Sequence, residues 1–452
     1  MKRYITLALI LCLGLSASAE NKGMMFLKGT PQANALNPAM KLQEKDKWYL
    51  AFPALGSIQT DVSTAAFTWN NATYIEDNTL YFNIPKLTSA LKNDNPINAN
   101  VSVQMLGFGF KIKDKHYVSF DLNTKVKSTT NVPGSLLNLQ YGTWDVENNT
   151  PINHHINDLT VDAISYVEAA LGYNYQINDK LNVGARFKYI QGAVASKTNH
   201  MEVHLVTGED GSLHTTQNIR QQIMGPVNIT TKEDGTIDEI TFAEDADEIT
   251  DSTVGKNIGF GFDVGATYKI SDKLTIGFSM IDLGKINWKG KVQEIYTEGS
   301  FDYNDPIDVS GDITGNDSEE EKITLDDYLD DLESSFKLYP DSMASFSTSL
   351  FRSTNLSAQY ELKDWVSFGG LFQIDHVGDA SATLATTLSP GKALSATLSY
   401  TASKNSASSF GAGLMLRGGF FQFYLLTDHL NSLLTPADAN YVNFQMGINF
   451  VF

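Results

Sequence analysis

Tyr441-Val-Asn-Phe-Gln-Met-Gly-Ile-Asn-Phe-Val-Phe452 closes the chain and alternates without a break. Val442, Phe444, Met446, Ile448, Phe450 and Phe452 fall on one face of an extended strand, and Asn443, Gln445, Gly447 and Asn449 on the other. Such a strand suits the wall of a membrane β-barrel, with lipid on one side and a wet lumen on the other. A soluble edge strand can carry the same period, so the rest of the chain has to separate the two.

At the opposite end, Lys2 and Arg3 precede an apolar run from Ile5 to Leu15, and Ala17-Ser-Ala19 follows as a small-residue cleavage site. Residues 1–19 therefore read as a signal peptide and the protein as exported. The single cysteine, Cys12, lies inside that run, which leaves the exported chain without a thiol. A long exported chain without disulfides needs a large core or a continuous backbone hydrogen-bond network, and closed barrels have the latter. No later segment reaches the apolar length of a spanning helix, so any membrane crossing is made by strands. The terminal Phe452 resembles the signal that outer-membrane assembly machinery reads.

Without Lys2 and Arg3 there are 31 basic against 52 acidic residues, a net charge of −21. Two stretches carry nearly all of it: Lys232–Asp251 holds nine acids and one lysine, and Asp302–Glu333 holds thirteen acids and one lysine. The acidity thus belongs to two connections rather than to the body, and nothing suits a nucleic-acid partner.

The two-residue period recurs along the chain, most cleanly where Ile258, Phe260, Phe262, Val264, Ala266, Tyr268 and Ile270 interleave with a largely glycine face. Tight turns at Asn178-Asp-Lys180 and Ser271-Asp-Lys273 alternate with long connections at 59–97, 129–160, 199–256, 290–340, 376–380, 402–406 and 429–440. Short and long turns fall on opposite sides. The expected fold is all-β: an antiparallel transmembrane barrel of about 14 strands, beginning near Trp48 and spanning 48–452, with long acidic extracellular loops at 199–256 and 290–340. A hairpin inside 60–84 is also expected. Tyr173, Tyr175, Phe187, Tyr189, Trp288 and Trp365 read as interfacial girdles. Asp121, Lys125, Glu168, Arg186, Lys188 and Asp263 share the polar parity and are expected to line the lumen, where cross-lumen ion pairing is the structural alternative to a substrate role. One strand slips phase: Val101, Val103 and Met105 share a parity that Leu106, Phe108, Phe110 and Ile112 reverse. A β-bulge at Met105–Leu106 accounts for it, and a bulge can bend a wall or open a lateral gap.

Residues 20–47 do not alternate and are too long for a leader, so they are expected to form a periplasmic hatch folded back into the lumen. Gly29-Thr-Pro-Gln-Ala-Asn-Ala-Leu-Asn37-Pro38-Ala39-Met40 lies here. With Pro31-Gln32, Leu36–Ala39, the hairpin Glu168–Arg186, Asp282-Leu-Gly284 with Trp288, and the closing strands from Tyr424, the chain resembles the long-chain fatty-acid transporter (FadL-like) superfamily of outer-membrane barrels. It is most similar to a branch common in Bacteroidetes bacteria. The resemblance implies a 14-stranded barrel whose Asn-Pro-Ala hatch gates a lumen, with hydrophobic cargo leaving sideways through a kinked strand. Only Asn37, Pro38 and Ala39 map onto its functional motif. The acidic stretch 302–333 is ill-suited to capturing a fatty-acid carboxylate and favours a neutral hydrophobic ligand.

Other chemistry is weaker. Carboxylates near Asp305, Asp308 and Asp312 lack the spacing of an EF-hand, and a solvated loop is the simpler reading. Leu325, Tyr328, Leu329 and Leu332 have helical spacing. Asp375-His376 and Asp428-His429 near strand ends would suit a rim hydrolase, but adjacent strand residues point to opposite faces. The expected protein is an outer-membrane passive channel for small hydrophobic molecules, in contact with lipid, with no catalytic residue, metal or cofactor. The alternatives are a docking component for secretion of the type IX kind, through the acidic loops, and more remotely the rim enzyme.

Overall fold

The computed structural model describes residues 22–43, 46–64, 67–76, 79–113, 115–141, 144–145, 148–208, 213–243, 250, 253–303, 337–376, 378, 380–403 and 408–452. The signal peptide and most of the acidic stretch 302–333, including the helical-spaced residues 325–332, lie outside the described residues.

Fourteen antiparallel strands close into a barrel. They are β1 (Trp48–Ala51 and Ile58–Thr64), β2 (Pro96–Ile112), β3 (His116–Asn131), β4 (Thr160–Gln176), β5 (Leu181–Thr207), β6 (Ile258–Lys269) and β7 (Leu274–Trp288). The circuit continues with β8 (Phe346–Ser349 and Ser353–Lys363), β9 (Val366–Ile374), β10 (Ala380–Leu388), β11 (Leu394–Ser403), β12 (Ser409–Gly418), β13 (Phe421–Thr427) and β14 (Tyr441–Val451). β14 pairs back onto β1, with Tyr49 opposite Val451 and Thr60 opposite Phe444. Closure leaves no sheet edge in the wall, which is what permits strands to cross lipid. At the seam the Phe452 ring stacks on Trp48 at 3.8 Å and on Phe420 at 5.4 Å.

Alternation produces the two faces. Phe108, Leu171, Phe187, Phe260, Phe278, Leu356, Phe372, Leu384, Leu398, Phe410 and Leu425 are exposed on the outer surface. An apolar belt running round the molecule far exceeds what a soluble monomer shows, and it places the barrel in the outer membrane, against lipid. The short turns are built as their residues require. Asn178 Oδ1 accepts the N–H groups of Lys180 and Leu181, both at 2.9 Å, and Gly391 and Gly419 take positive φ.

Three sequence readings change. The connection 59–97 begins too early, because Ile58–Thr64 is wall paired to both β2 and β14; the hairpin within it is Thr73–Glu76 with Thr79–Phe82. The loops 199–256 and 290–340 are largely strand: β5 runs 27 residues and pairs above the barrel with Leu213–Met224, which pairs with Val292–Tyr303. These segments alternate for a small core of their own, with Ile156, Val203, Leu205 and Ile219 packed together. Trp288 is no girdle residue. It is fully buried, donates Nε1–H to Thr348 Oγ1 at 2.9 Å and stacks against Phe346. A bulge in β7 is the cause: Phe262 faces Leu283 while Val264 faces Met280, so Ile281 and Asp282 both turn inward and every later residue reverses face.

Candidate functional site

Residues 22–43 pass through the barrel interior. Met24, Met25, Phe26 and Leu27 pack against Leu371, Ala385, Met415, Tyr424 and Leu426 of the wall. Around this apolar anchor the wall side chains satisfy the hatch backbone: Thr387 Oγ1 donates to Phe26 O at 3.0 Å and Gln422 Nε2 to Gly29 O at 2.9 Å. Asp428 takes the backbone N–H groups of Lys22 and Gly23 at 2.6 and 3.0 Å. At the short-turn rim, Asp46 pairs with Arg417 at 2.9 Å and Lys392 at 3.5 Å. The hatch bonds to itself in two short 3₁₀ helices, Lys22–Met25 and Pro31–Ala35, and its remaining buried polar groups need such a set of partners.

Asn37, Pro38 and Ala39 form a turn seated on β4 to β8. Asn37 Oδ1 accepts the Ala39 N–H at 2.9 Å, and Asn37 Nδ2 reaches the carbonyls of Ala266 and Phe278 at 3.4 and 3.3 Å. Asn174 Nδ2 donates to Pro38 O at 3.1 Å, and Ser279 Oγ to Leu36 O at 2.6 Å. The seat is made of glycine. A Cβ at Gly184 would stand 2.1 Å from Pro38 O, and one at Gly265 2.2 Å from Asn37 Oδ1.

Gln32 faces the other side of the wall. Its Nε2 donates to Gly56 O, Gln104 Oε1 and Asn449 Oδ1 at 3.0, 3.0 and 2.8 Å. Here the wall is irregular twice over. β1 breaks between Ala51 and Ile58, with Ala54 at φ +58°, and the β2 register shifts between Gln104 and Leu106. The shift leaves Met105 and Leu106 both off the lumen face while Gln104 and Gly107 turn inward.

Beside the hatch lies a compact charge network. Asp121, Lys125, Glu168, Arg186, Lys188 and Asp263 all face the interior, joined by Lys127 and Asp282. Lys188 bridges Asp263 at 2.7 Å, Glu168 at 3.6 Å and Asp282. Arg186 meets Asp121 at 3.1 Å, Lys125 meets Glu168 at 3.1 Å, and Lys127 meets Asp282 at 3.3 Å. Four cations face four carboxylates, so the cluster is neutral. Burial at this level is tolerable only because every charge has a partner. Asp282 and Lys127 were missed as lumen residues; Asp282 comes inward only through the β7 bulge, and its N–H is accepted by Asp263 Oδ1 at 2.8 Å.

The hatch divides the lumen. On its long-loop side is a cavity of about 100 Å³ lined by Gln32, Asn34, Lys125, Lys127, Glu168 and Arg186 among others. On its short-turn side is one of about 170 Å³ lined by Met25–Pro31, Met40–Gln43, Gln359 and Glu361 among others. Hatch residues form the floor of the first and the roof of the second.

The two rim histidines are occupied separately. His376 packs edge-on against Phe351 at 4.2 Å, and burial, Lys127 and Arg352 push its pKa down to about 4. His429 packs on Tyr441, and burial and Lys22 bring it to about 3. Both imidazoles are therefore neutral at neutral pH, and Asp428, the neighbour of His429, is engaged by the hatch.

A closed lipid-belted wall with its own N-terminal segment as a plug defines a hatch-bearing outer-membrane β-barrel. The chain belongs to a family of unknown function, DUF5723, whose model matches residues 38–428. No curated protein matches it in sequence. Among solved structures it is similar to the toluene transporter TodX of Pseudomonas putida, at 11% identity and TM-score 0.41, covering 96% of this chain and 97% of that one. A FadL homologue of Pseudomonas aeruginosa gives 12% and 0.42, covering 96% and 99%. The toluene transporter TbuX of Ralstonia pickettii gives 9% and 0.34, covering 96% and 92%. Overlaps this loose carry no functional conclusion; the fold assignment rests on the strand pairing and the belt.

Proposed function

We propose that the protein is a passive outer-membrane channel for small, partly apolar molecules, closed in this state by the hatch. The observation that carries the reading is the hatch separating two lumen cavities while docking, through Gln32, on the one place where β1 is interrupted beside a bulged β2. An apolar cavity of about 150 Å³ stays dry and binds benzene, whereas the upper cavity is about 100 Å³ and lined by Lys125, Lys127, Glu168 and Arg186, a poor fit for hydrophobic cargo with the hatch in place. Passage requires the hatch to move. Asn37, Pro38 and Ala39 are its latch, Met105 and Leu106 mark the wall segment able to yield sideways, and the charge network is the fixed post against which the hatch sits.

Extraction of detergent-purified protein with organic solvent and mass spectrometry of the extract, beside an Asn37→Ala/Pro38→Ala variant, tests this. A specific lipophilic compound retained by the parent protein and lost in the variant supports the channel. Bulk membrane lipid alone in both moves the assignment to a docking role, for which the outer sheet above β5 supplies the surface.

A further inference from the structure

The sequence His200-Met-Glu-Val-His204 alternates on the outer half of β5. Met201, Val203 and Leu205 point into the small core above the barrel, which fixes the opposite face. On that face both imidazoles turn toward one carboxylate: His204 Nε2 lies 2.8 Å from Glu202 Oε1, and His200 Nε2 lies 3.4 Å from Glu202 Oε2. On the neighbouring strand, His154–Asn157, His155 stands directly opposite His204, with ring centroids 4.1 Å apart. Across the other neighbour, His214 pairs with Val206. Four of the chain's eight histidines thus share one face of the outer sheet.

We propose that His155, Glu202 and His204 form a surface site for a divalent transition metal of the zinc class. Imidazole nitrogen with one carboxylate is the donor set such ions take. Ligands at zinc's usual ~2.0–2.1 Å stand about 3.3 Å from one another, and His204 Nε2 stands 2.8 Å from Glu202 Oε1. Among the described residues no three such side chains already surround one point. The nitrogens are bonded to Glu202 instead, and an ion entering between them exchanges those hydrogen bonds for coordination while His155 swings off its stack. Glu202 and His204 come from one strand whose inner face is packed and His155 from the strand paired to it, so their spacing is held by backbone rather than by loop conformation. A bound ion ties the connection between β3 and β4 to the outer half of β5.

Isothermal titration of the full chain in detergent with ZnCl2, in excess CaCl2 to occupy acidic segments, tests the site. The expected result is one saturable zinc equivalent per chain, weakened at least tenfold in His155→Ala/His204→Ala and in Glu202→Gln, and unchanged in His376→Ala. Heat-modifiable gel mobility confirms that each variant keeps its barrel. Equal zinc binding by the parent and both variants, or no calcium-resistant binding by the parent, overturns the proposal.

Discussion

Gly184→Ala tests whether the hatch is seated on the wall by space alone. The new Cβ would lie 2.1 Å from Pro38 O, 2.3 Å from Pro38 C and 2.7 Å from Ala39 N, all backbone atoms that no rotamer change can remove. Relieving the clash requires a shift on the order of 1 Å. β5 is held by paired strands on both sides, so the hatch moves. That shift breaks the bonds from Asn174 to Pro38, from Asn37 to Ala266 and Phe278, and from Ser279 and Asn355 to Leu36. At roughly 0.5–1.5 kcal/mol each, partly recovered by water, the seat weakens by about 2–5 kcal/mol. Such a change raises the undocked population by roughly 30-fold to several thousand-fold. In planar bilayers the variant should conduct far more often than the parent. Gly370→Ala, whose Cβ meets only Leu384 at 3.9 Å, should not. A folded Gly184→Ala barrel conducting like the parent refutes the seat as the latch.

Other perturbations reach other parts. Lys188→Met leaves Glu168, Asp263 and Asp282 short of a shared cation; urea unfolding should show a loss of about 3–5 kcal/mol, part of it restored by adding Asp263→Asn. Deleting Met105 removes the one residue of the Gln104–Leu106 stretch that has no partner in β3, so Gln104 stays opposite Asn123, Leu106 opposite Leu122 and Phe108 on the lipid face; the variant should keep its heat-resistant folded band on gels, and loss of that band would contradict the bulge. Burial, Lys127 and Arg352 hold His376 at about 4 against an ordinary 6.5. The unfolded chain therefore takes up this proton first, and stability falls as pH drops from 6.5 to 4. His376→Phe should flatten that part of the pH–stability curve, and an unchanged slope would contradict the burial argument. Replacing residues 304–336 with a short linker should leave bilayer conductance intact; loss of conductance would count against a channel independent of its acidic segment.

All fourteen barrel strands begin within a few residues of where alternation starts in the sequence, because lipid and lumen impose opposite demands on successive residues and few other settings do. The lumen charges were legible for the same reason. Legibility failed where the pleat does. The bulge at Ile281–Asp282 inserts one inward residue into β7 with no gap in the sequence pattern, which hid Asp282 and placed Trp288 on the wrong face. Above the membrane the rule itself changes. In β5, Arg186 and Lys188 point inward, yet beyond the register shifts near Gly192 and His200 the even-numbered His200, Glu202 and His204 point to solvent. A segment that alternates for a small private core looks, from sequence, like an acidic loop.

The glycines on the inward face have two physical sources. Gly259 and Gly261 leave room for Ile286 and for Leu350 with Lys188, which are wall residues and wall-borne side chains. Gly184 and Gly265, directly opposite each other on β5 and β6, leave room for Pro38 and Asn37, which belong to the hatch. A barrel filled only by its own side chains has no need of facing glycines on adjacent strands at one level. Residue-free space on β5 and β6 at the height of a proline-bearing turn is the imprint of a second backbone. The hatch is therefore written twice in this chain, once as the non-alternating segment that forms it and once as the strands shaped to receive it.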